Sequence, residues 1–169
     1  MAIQVGDRLP DGKLSESAGW DEGSNCPLRP ADVNVAEAAK GKKIAIFGLP
    51  GAFTPTCSAK HVPSYVSNRD KLMANGVNEI WCVAVNDGYV MQACGRQEGA
   101  TGKIRMLGDG SGLWTKALGL ELDLTGGGMG MRMKRFSMLV DDGVVKQLNI
   151  EAPGKFEVSD ADTMLRQLS

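Results

Sequence analysis

The chain has 169 residues, 43% of them hydrophobic and 23% charged, with a formal net charge of −1. That length suits one domain over 1–169 with a radius of gyration of about 15 Å, and the composition excludes disorder as the default. The balanced charge excludes a nucleic-acid binder, and the lack of long apolar runs excludes a membrane span.

The stretch 11–40 is the least readable, with scattered Gly, Ser and Pro. The apolar, β-favouring run 43-KIAIF-47 predicts a buried strand that enters the loop 48-GLPGAFTPTC-57. A helix is expected to follow, with Thr54 as N-cap and Pro55 as its first residue, running to Asn75-Gly76 with a kink at Pro63. Next come a central strand at 79-EIWCVAV-85 and a helix begun by Asp87 through 89–97. A strand at 103–107 and a helix around 111–118 follow. Strands at 135–140 and 144–150 flank Asp-Asp-Gly, a hairpin signal. Ser159 and Asp162 resemble a capping box for a last helix ending at Leu168. This βα, βα, βα, ββα order predicts an α/β mixed sheet flanked by helices. The glycine-rich 126-GGGMGMRM-133 leads into a strand rather than a helix, which argues against a phosphate loop.

Four cysteines (Cys26, Cys57, Cys82, Cys94) lack any C-x-x-C pair, and His61 is the one histidine. A zinc site is a poor fit, and no other metal or cofactor is expected. The N-terminus has no basic segment followed by an apolar run, so no secretory signal is expected and the thiols are expected reduced, in the cytoplasm.

Placed at N3 of its helix, Cys57 would meet the macrodipole and free backbone N–H groups, which favour an anionic sulfur. Pro50 and Pro55 stiffen the approach and Gly51 permits a turn. Ionisation alone gives little speed, because nucleophilicity falls as a thiol becomes more acidic. A fast reaction also needs donors for the leaving group. Thr54 offers a hydroxyl, and a guanidinium must come from elsewhere in the chain.

Pro50-Gly-Ala-Phe-Thr54-Pro-Thr-Cys57 resembles the P-x-x-x-T-x-x-C signature of peroxiredoxins. PGAFTPTCSAKHVPSYV, VAVND at 83–87 and RMKRFSMLVDDGVV at 132–145 resemble the atypical type II, peroxiredoxin-five-like branch. The resemblance covers most of the chain from VGDRLP onward and is weakest across 15–40. It implies a thioredoxin-like fold and a thiol peroxidase acting on hydrogen peroxide and alkyl hydroperoxides. By position, Cys57 would attack the peroxide and become a sulfenic acid, Thr54 would hydrogen-bond the peroxide and the thiolate, and Pro50 would shield the sulfur. Arg132 matches the distant arginine that pairs with the thiolate, ahead of Arg135 and Lys134.

His61, one turn past Cys57, is expected to be a surface or orienting histidine rather than a base, and Cys82 a core thiol rather than a resolving cysteine. Cys94 stands where the branch usually has tryptophan, and Cys26 lies in the variable stretch; no motif supports either as resolving. Some members carry a resolving cysteine near the stretch EAPGKFEVSDAD, and this chain has none after Cys94. The expected reductant is therefore glutathione with glutaredoxin, with thioredoxin as the alternative, and relatives imply a homodimer. Met129, Met131 and Met133 read as packing, and Asp87 and Asp109 as helix caps. The competing functions are a non-enzymatic redox sensor and a thioredoxin-like disulfide oxidoreductase; the absent C-x-x-C counts against the second.

Overall fold

The computed structural model describes residues 1–168. In chain order the elements are β1 (Lys13–Glu16), β2 (Trp20–Asp21), β3 (Cys26–Pro27), β4 (Ala31–Asn34) and α1 (Val35–Ala39). After β5 (Lys43–Gly48), a π turn over Cys57–His61 leads into α2 (Val62–Ser67) and α3 (Arg69–Ala74). Then come β6 (Glu79–Ala84), α4 (Gly88–Gln97), β7 (Arg105–Gly108), α5 (Leu113–Leu118) and β8 (Glu121–Leu124). The chain continues through β9 (Gly130–Met133), β10 (Phe136–Asp141), β11 (Val144–Ile150) and α6 (Ala161–Leu168).

Seven strands form one sheet in the order β11-β10-β5-β6-β7-β1-β4. β5, β6 and β7 are parallel, as helical crossovers require, and β10 lies antiparallel against β5. The central strands are buried on both faces, which is why they read as continuous apolar runs. One face carries Phe47, Cys57, Tyr65, Cys82, Met91, Cys94 and Met164, packed with α2, α4 and α6. The opposite face packs Ile44, Ile46, Trp81 and Phe136 with Val35 of α1 and Trp114 of α5. The expected mixed sheet between helices is what forms. The unread 11–40 stretch adds two edge strands to it: β1 and β4 pair with each other, and β1 pairs with β7.

Local signals explain most boundaries. Asp87 caps α4 by accepting from Val90 N–H at 2.9 Å. Asp109 accepts from Thr115 N–H and Thr115 Oγ1, both at 2.7 Å. Asp142 and Gly143 have φ of 49° and 80°, the paired left-handed residues of a tight hairpin. The strand expected at 103–107 begins two residues later, at Arg105. The last helix corrects its expected cap: Asp160 accepts from Thr163 N–H at 3.2 Å, whereas Ser159 Oγ donates to Glu151 at 2.7 Å.

The helix after Cys57 also departs from expectation. Pro63 has no N–H to return to the preceding turn, and the kink there takes the form of a wider turn, with Val62 N–H donating five residues back to Cys57 O. The helical run then breaks at Asn68, between α2 and α3.

Where the chain passes from β7 toward α5, a methyl on Gly108 would lie 2.5 Å from Asn86 O and 2.8 Å from Asp87 C, both backbone atoms that cannot swing aside. Gly108→Ala should therefore lower the unfolding free energy by about 2–3 kcal/mol in urea denaturation. A loss under about 0.5 kcal/mol would show that the β6–α4 turn yields freely.

Candidate active site

The C-terminal end of β5 opens into the loop carrying Pro50, Thr54 and Cys57, the position where parallel α/β sheets build sites. Cys57 is fully buried. Its Sγ accepts from Arg135 Nη2 at 3.1 Å. The other arm of the same guanidinium, Nη1, lies 3.0 Å from His61 Nδ1. His61 Nε2 in turn lies 3.0 Å from Ser159 O, a carbonyl that can only accept a hydrogen bond. The tautomer follows: Nε2 carries the hydrogen and donates to Ser159 O, which leaves Nδ1 to accept from Arg135.

His61 is therefore a buried, orienting residue and not a surface one. Burial, and then the Arg135 charge, hold its pKa down to about 3, so it stays neutral through the physiological range. It holds the guanidinium against the sulfur and has no free nitrogen with which to take a proton from Cys57. The π turn stacks His61 and Cys57 on one side of the helix, toward the sheet. Phe47 stacks on Tyr65 at 4.1 Å and lies 4.8 Å from the His61 ring, while Phe156 closes the other side at 5.0 Å.

Ser159 O also accepts from Tyr65 Oη at 3.0 Å, so one carbonyl fixes two side chains of the site. Glu151 holds the segment that carries it. Its buried carboxylate accepts from Glu157, Val158 and Ser159 N–H and from Ser159 Oγ at 2.7–3.0 Å. Burial would raise the Glu151 pKa, but the Ser159 hydroxyl and three backbone N–H groups outweigh it and hold the carboxyl below its usual value. Glu151 N–H donates to Arg135 O at 3.0 Å, which ties this segment to the arginine itself.

The guanidinium at the sulfur therefore corrects the sequence reading: it belongs to Arg135, and Arg132 does not meet Cys57. Arg132 instead clamps the loop, its Nε donating to Met129 O at 2.8 Å and its Nη1 to Pro50 O at 3.2 Å. Strand parity carried the missing signal. Ser137 pairs with Phe47 and Leu139 with Ala45, so odd positions of β10 face the Cys57 layer, and Arg135 continues that alternation. Thr54 is half-buried in the first turn, and its hydroxyl donates to Gly51 O at 2.8 Å rather than to the sulfur. Its carbonyl accepts from Ser58 N–H at 2.9 Å, as a helix-start residue should. Asn86 adds a third tie by accepting from Ala52 N–H at 2.9 Å, and between these ties Phe53 takes a φ of 65°, a costly value for an aromatic residue.

All four cysteines are unpaired. Cys82 is enclosed in β6, where burial first and the neighbouring sulfurs next push its pKa well above 9. Burial likewise pushes Cys94 up to about 11. Cys26 is exposed in β3. Among the described residues no three His, Cys, Asp or Glu side chains converge to hold a metal. The site offers instead one sulfur with a two-armed cationic donor, suited to stabilising negative charge on a small polar substrate.

The family model described as Redoxin matches residues 4–165. Peroxiredoxin-2B of Arabidopsis thaliana is 46% identical over 166 residues, spanning 98% of this chain and 98% of that protein. The solved structure of reduced Prx3 from Vibrio vulnificus in complex with H2O2 is similar with a TM-score of 0.89 and 44% identity, covering 99% of both chains. A structure from Burkholderia cenocepacia, provisionally named as a thioredoxin reductase, is similar with a TM-score of 0.93 and 54% identity over 100% of this chain and 99% of that one.

The neutral His61 has a consequence for stability. Its folded pKa of about 3 lies below the ordinary 6.5, so the unfolded chain binds a proton that the fold excludes. Stability should therefore fall with acidification from pH 6.5 to 5, by up to about 1.4 kcal/mol per pH unit from this residue. Urea denaturation across that window should show a steeper slope for the wild type than for His61→Gln. Equal slopes would mean that His61 is protonated in the folded protein.

Proposed function

The chain belongs to the peroxiredoxin family, in its type II branch, and is a thiol peroxidase; on that premise we propose that Cys57 is its oxidised sulfur, that hydrogen peroxide and alkyl hydroperoxides are its substrates, and that glutathione with glutaredoxin closes its cycle. The observation that carries the assignment of Cys57 is the 3.1 Å approach of Arg135 Nη2 to its buried sulfur. The thiolate attacks one peroxide oxygen, the O–O bond breaks, and negative charge grows on the departing oxygen. A guanidinium already aimed at the reacting atoms stabilises that charge without reorganising. The departing oxygen takes up the proton that the thiol released on ionising and leaves as water or an alcohol, and Cys57 remains as the sulfenic acid. Thr54 and Pro50 serve here by shaping the loop that brackets the sulfur, and Arg132 by holding the Pro50 carbonyl.

The choice of an external reductant rests on the other thiols. A resolving cysteine must reach the sulfenic acid as a thiolate, and burial disfavours that form in both Cys82 and Cys94. Cys82 would also have to leave the middle of a central strand. Thioredoxin is the rival donor. The four unpaired cysteines suit a reducing compartment, and we place the protein in the cytoplasm. Phe53, Tyr89 and Leu113 are exposed, each shortly after one of the three parallel strands, and this supports pairing of two copies through the active-site end.

Peroxide consumption at catalytic protein concentration tests the reading. Cys57→Ser should lose more than about a thousandfold in rate. A chain lacking Cys26, Cys82 and Cys94 together, each changed to Ser, should turn over within about threefold of wild type with glutathione and glutaredoxin. Consumption that stops after one equivalent would make the protein a sensor. Dependence on any of those three cysteines would replace the external donor with an internal one.

A further inference from the structure

A cavity of about 140 Å³ lies against the outer side of the active-site wall, lined by Pro50, Thr56, Lys134, Arg135, Glu151 and Lys155, with Leu122, Ala152 and Pro153 as its apolar part. Two of its walls are the residues that flank the buried sulfur: Thr56 precedes Cys57, and Arg135 touches it. Cys57 itself is not on the lining, so a peroxide resting in the cavity would not meet the sulfur. For a thiol seated there to reach the sulfur, the loop carrying Pro50 and Thr56 would have to move aside.

The charges of the cavity are unevenly matched. The Glu151 carboxylate is occupied by donors from residues 157–159. Arg135 is engaged by Cys57 and His61. Lys134 and Lys155, in contrast, make no ion pair or side-chain hydrogen bond among the described residues. Their backbones are nonetheless fixed. Lys134 N–H donates to Leu120 O at 2.8 Å. Lys155 ends a tight turn, Ala152-Pro153-Gly154-Lys155, closed by its N–H on Ala152 O at 3.0 Å with Gly154 at a φ of 78°. Pro then Gly at the two central positions is the chemistry of a stiff turn. Two ammonium groups without partners, set on anchored backbone beside an apolar wall, suit a ligand with carboxylates at the ends of a short flexible body.

We propose that this cavity is the docking subsite of the reducing thiol, seating glutathione through its carboxylates on Lys134 and Lys155. The proposal rests on glutathione being the donor. In the step it serves, the glutathione thiolate attacks the Cys57 sulfenic sulfur, an S–S bond forms and the S–O bond breaks. The departing hydroxide takes the proton released by the thiol and leaves as water. A second thiol then reduces the mixed disulfide, returning Cys57 and releasing an oxidised disulfide.

The test is the rate at which preformed Cys57 sulfenic acid reacts with glutathione, with glutathione dimethyl ester, whose carboxylates are masked, and with uncharged 2-mercaptoethanol. In the wild type, glutathione should outpace its ester by roughly tenfold. In the Lys134→Ala/Lys155→Ala double variant that ratio should collapse toward one. Lys155→Glu, a change confined to an exposed turn, should push it below one, and it serves alone should the double variant fail to fold. A ratio unchanged in the variants overturns the subsite while leaving glutathione as donor. Wild-type sulfenic acid that reacts with glutathione no faster than with 2-mercaptoethanol, yet turns over with thioredoxin, overturns the donor itself. Variants slowed only toward a carboxylate-bearing hydroperoxide would assign the lysines to the substrate and also overturn the proposal.

Discussion

One guanidinium organises this site. Arg135 reaches Cys57 Sγ with one arm and the His61 ring with the other, and both partners are fully buried. Arg135 is itself half-buried, but the two arms that enter the site need partners, because an unmatched donor there would be costly away from water. The structure supplies those holds in sequence: His61 receives the guanidinium, Ser159 O fixes His61, and the Glu151 carboxylate fixes the Ser159 segment. The chain of contacts returns to its start when Glu151 N–H meets Arg135 O. Remove one link and the others lose their geometry together.

The loop on the other side of the sulfur is held differently, by three single ties. Arg132 holds Pro50 O, Thr54 holds Gly51 O, and Asn86 holds Ala52 N–H. Between them Phe53 stays in a strained conformation with its ring half in solvent. A strained residue held by a few local hydrogen bonds makes this the more lightly restrained part of the site. The Arg135 side is therefore held by a connected chain of contacts, and the Pro50–Thr54 side by separate ties.

The sequence made the frame of this arrangement readable. The apolar runs at 43–47 and 79–85 declared central strands, and Asp87, Asp109 and Asp142-Gly143 declared their caps and turn through ordinary local chemistry. The edge pair β1–β4 was not readable. Leu14 is its one fully buried residue, and the polar remainder gives no alternation to count. The π turn was equally hidden, because a proline announces a missing N–H without saying how the chain will adjust. The Glu151 hub left no trace, since most of its partners are backbone groups and the Ser159 hydroxyl reads equally well as a helix cap. The arginine was readable but misjudged: matching by position within the resemblance put Arg132 ahead of Arg135, whereas the two-residue period of β10 selected Arg135.

The reaction depends on directed donation from Arg135 rather than on positive charge alone, and Arg135→Lys separates the two. Lysine keeps the charge but loses the fork that serves Cys57 and His61 at once. The second-order rate constant of hydrogen peroxide with the reduced protein, measured by stopped flow, should fall by about a hundredfold or more in this variant. A rate constant within threefold of wild type would contradict the claim that this guanidinium organises the reaction.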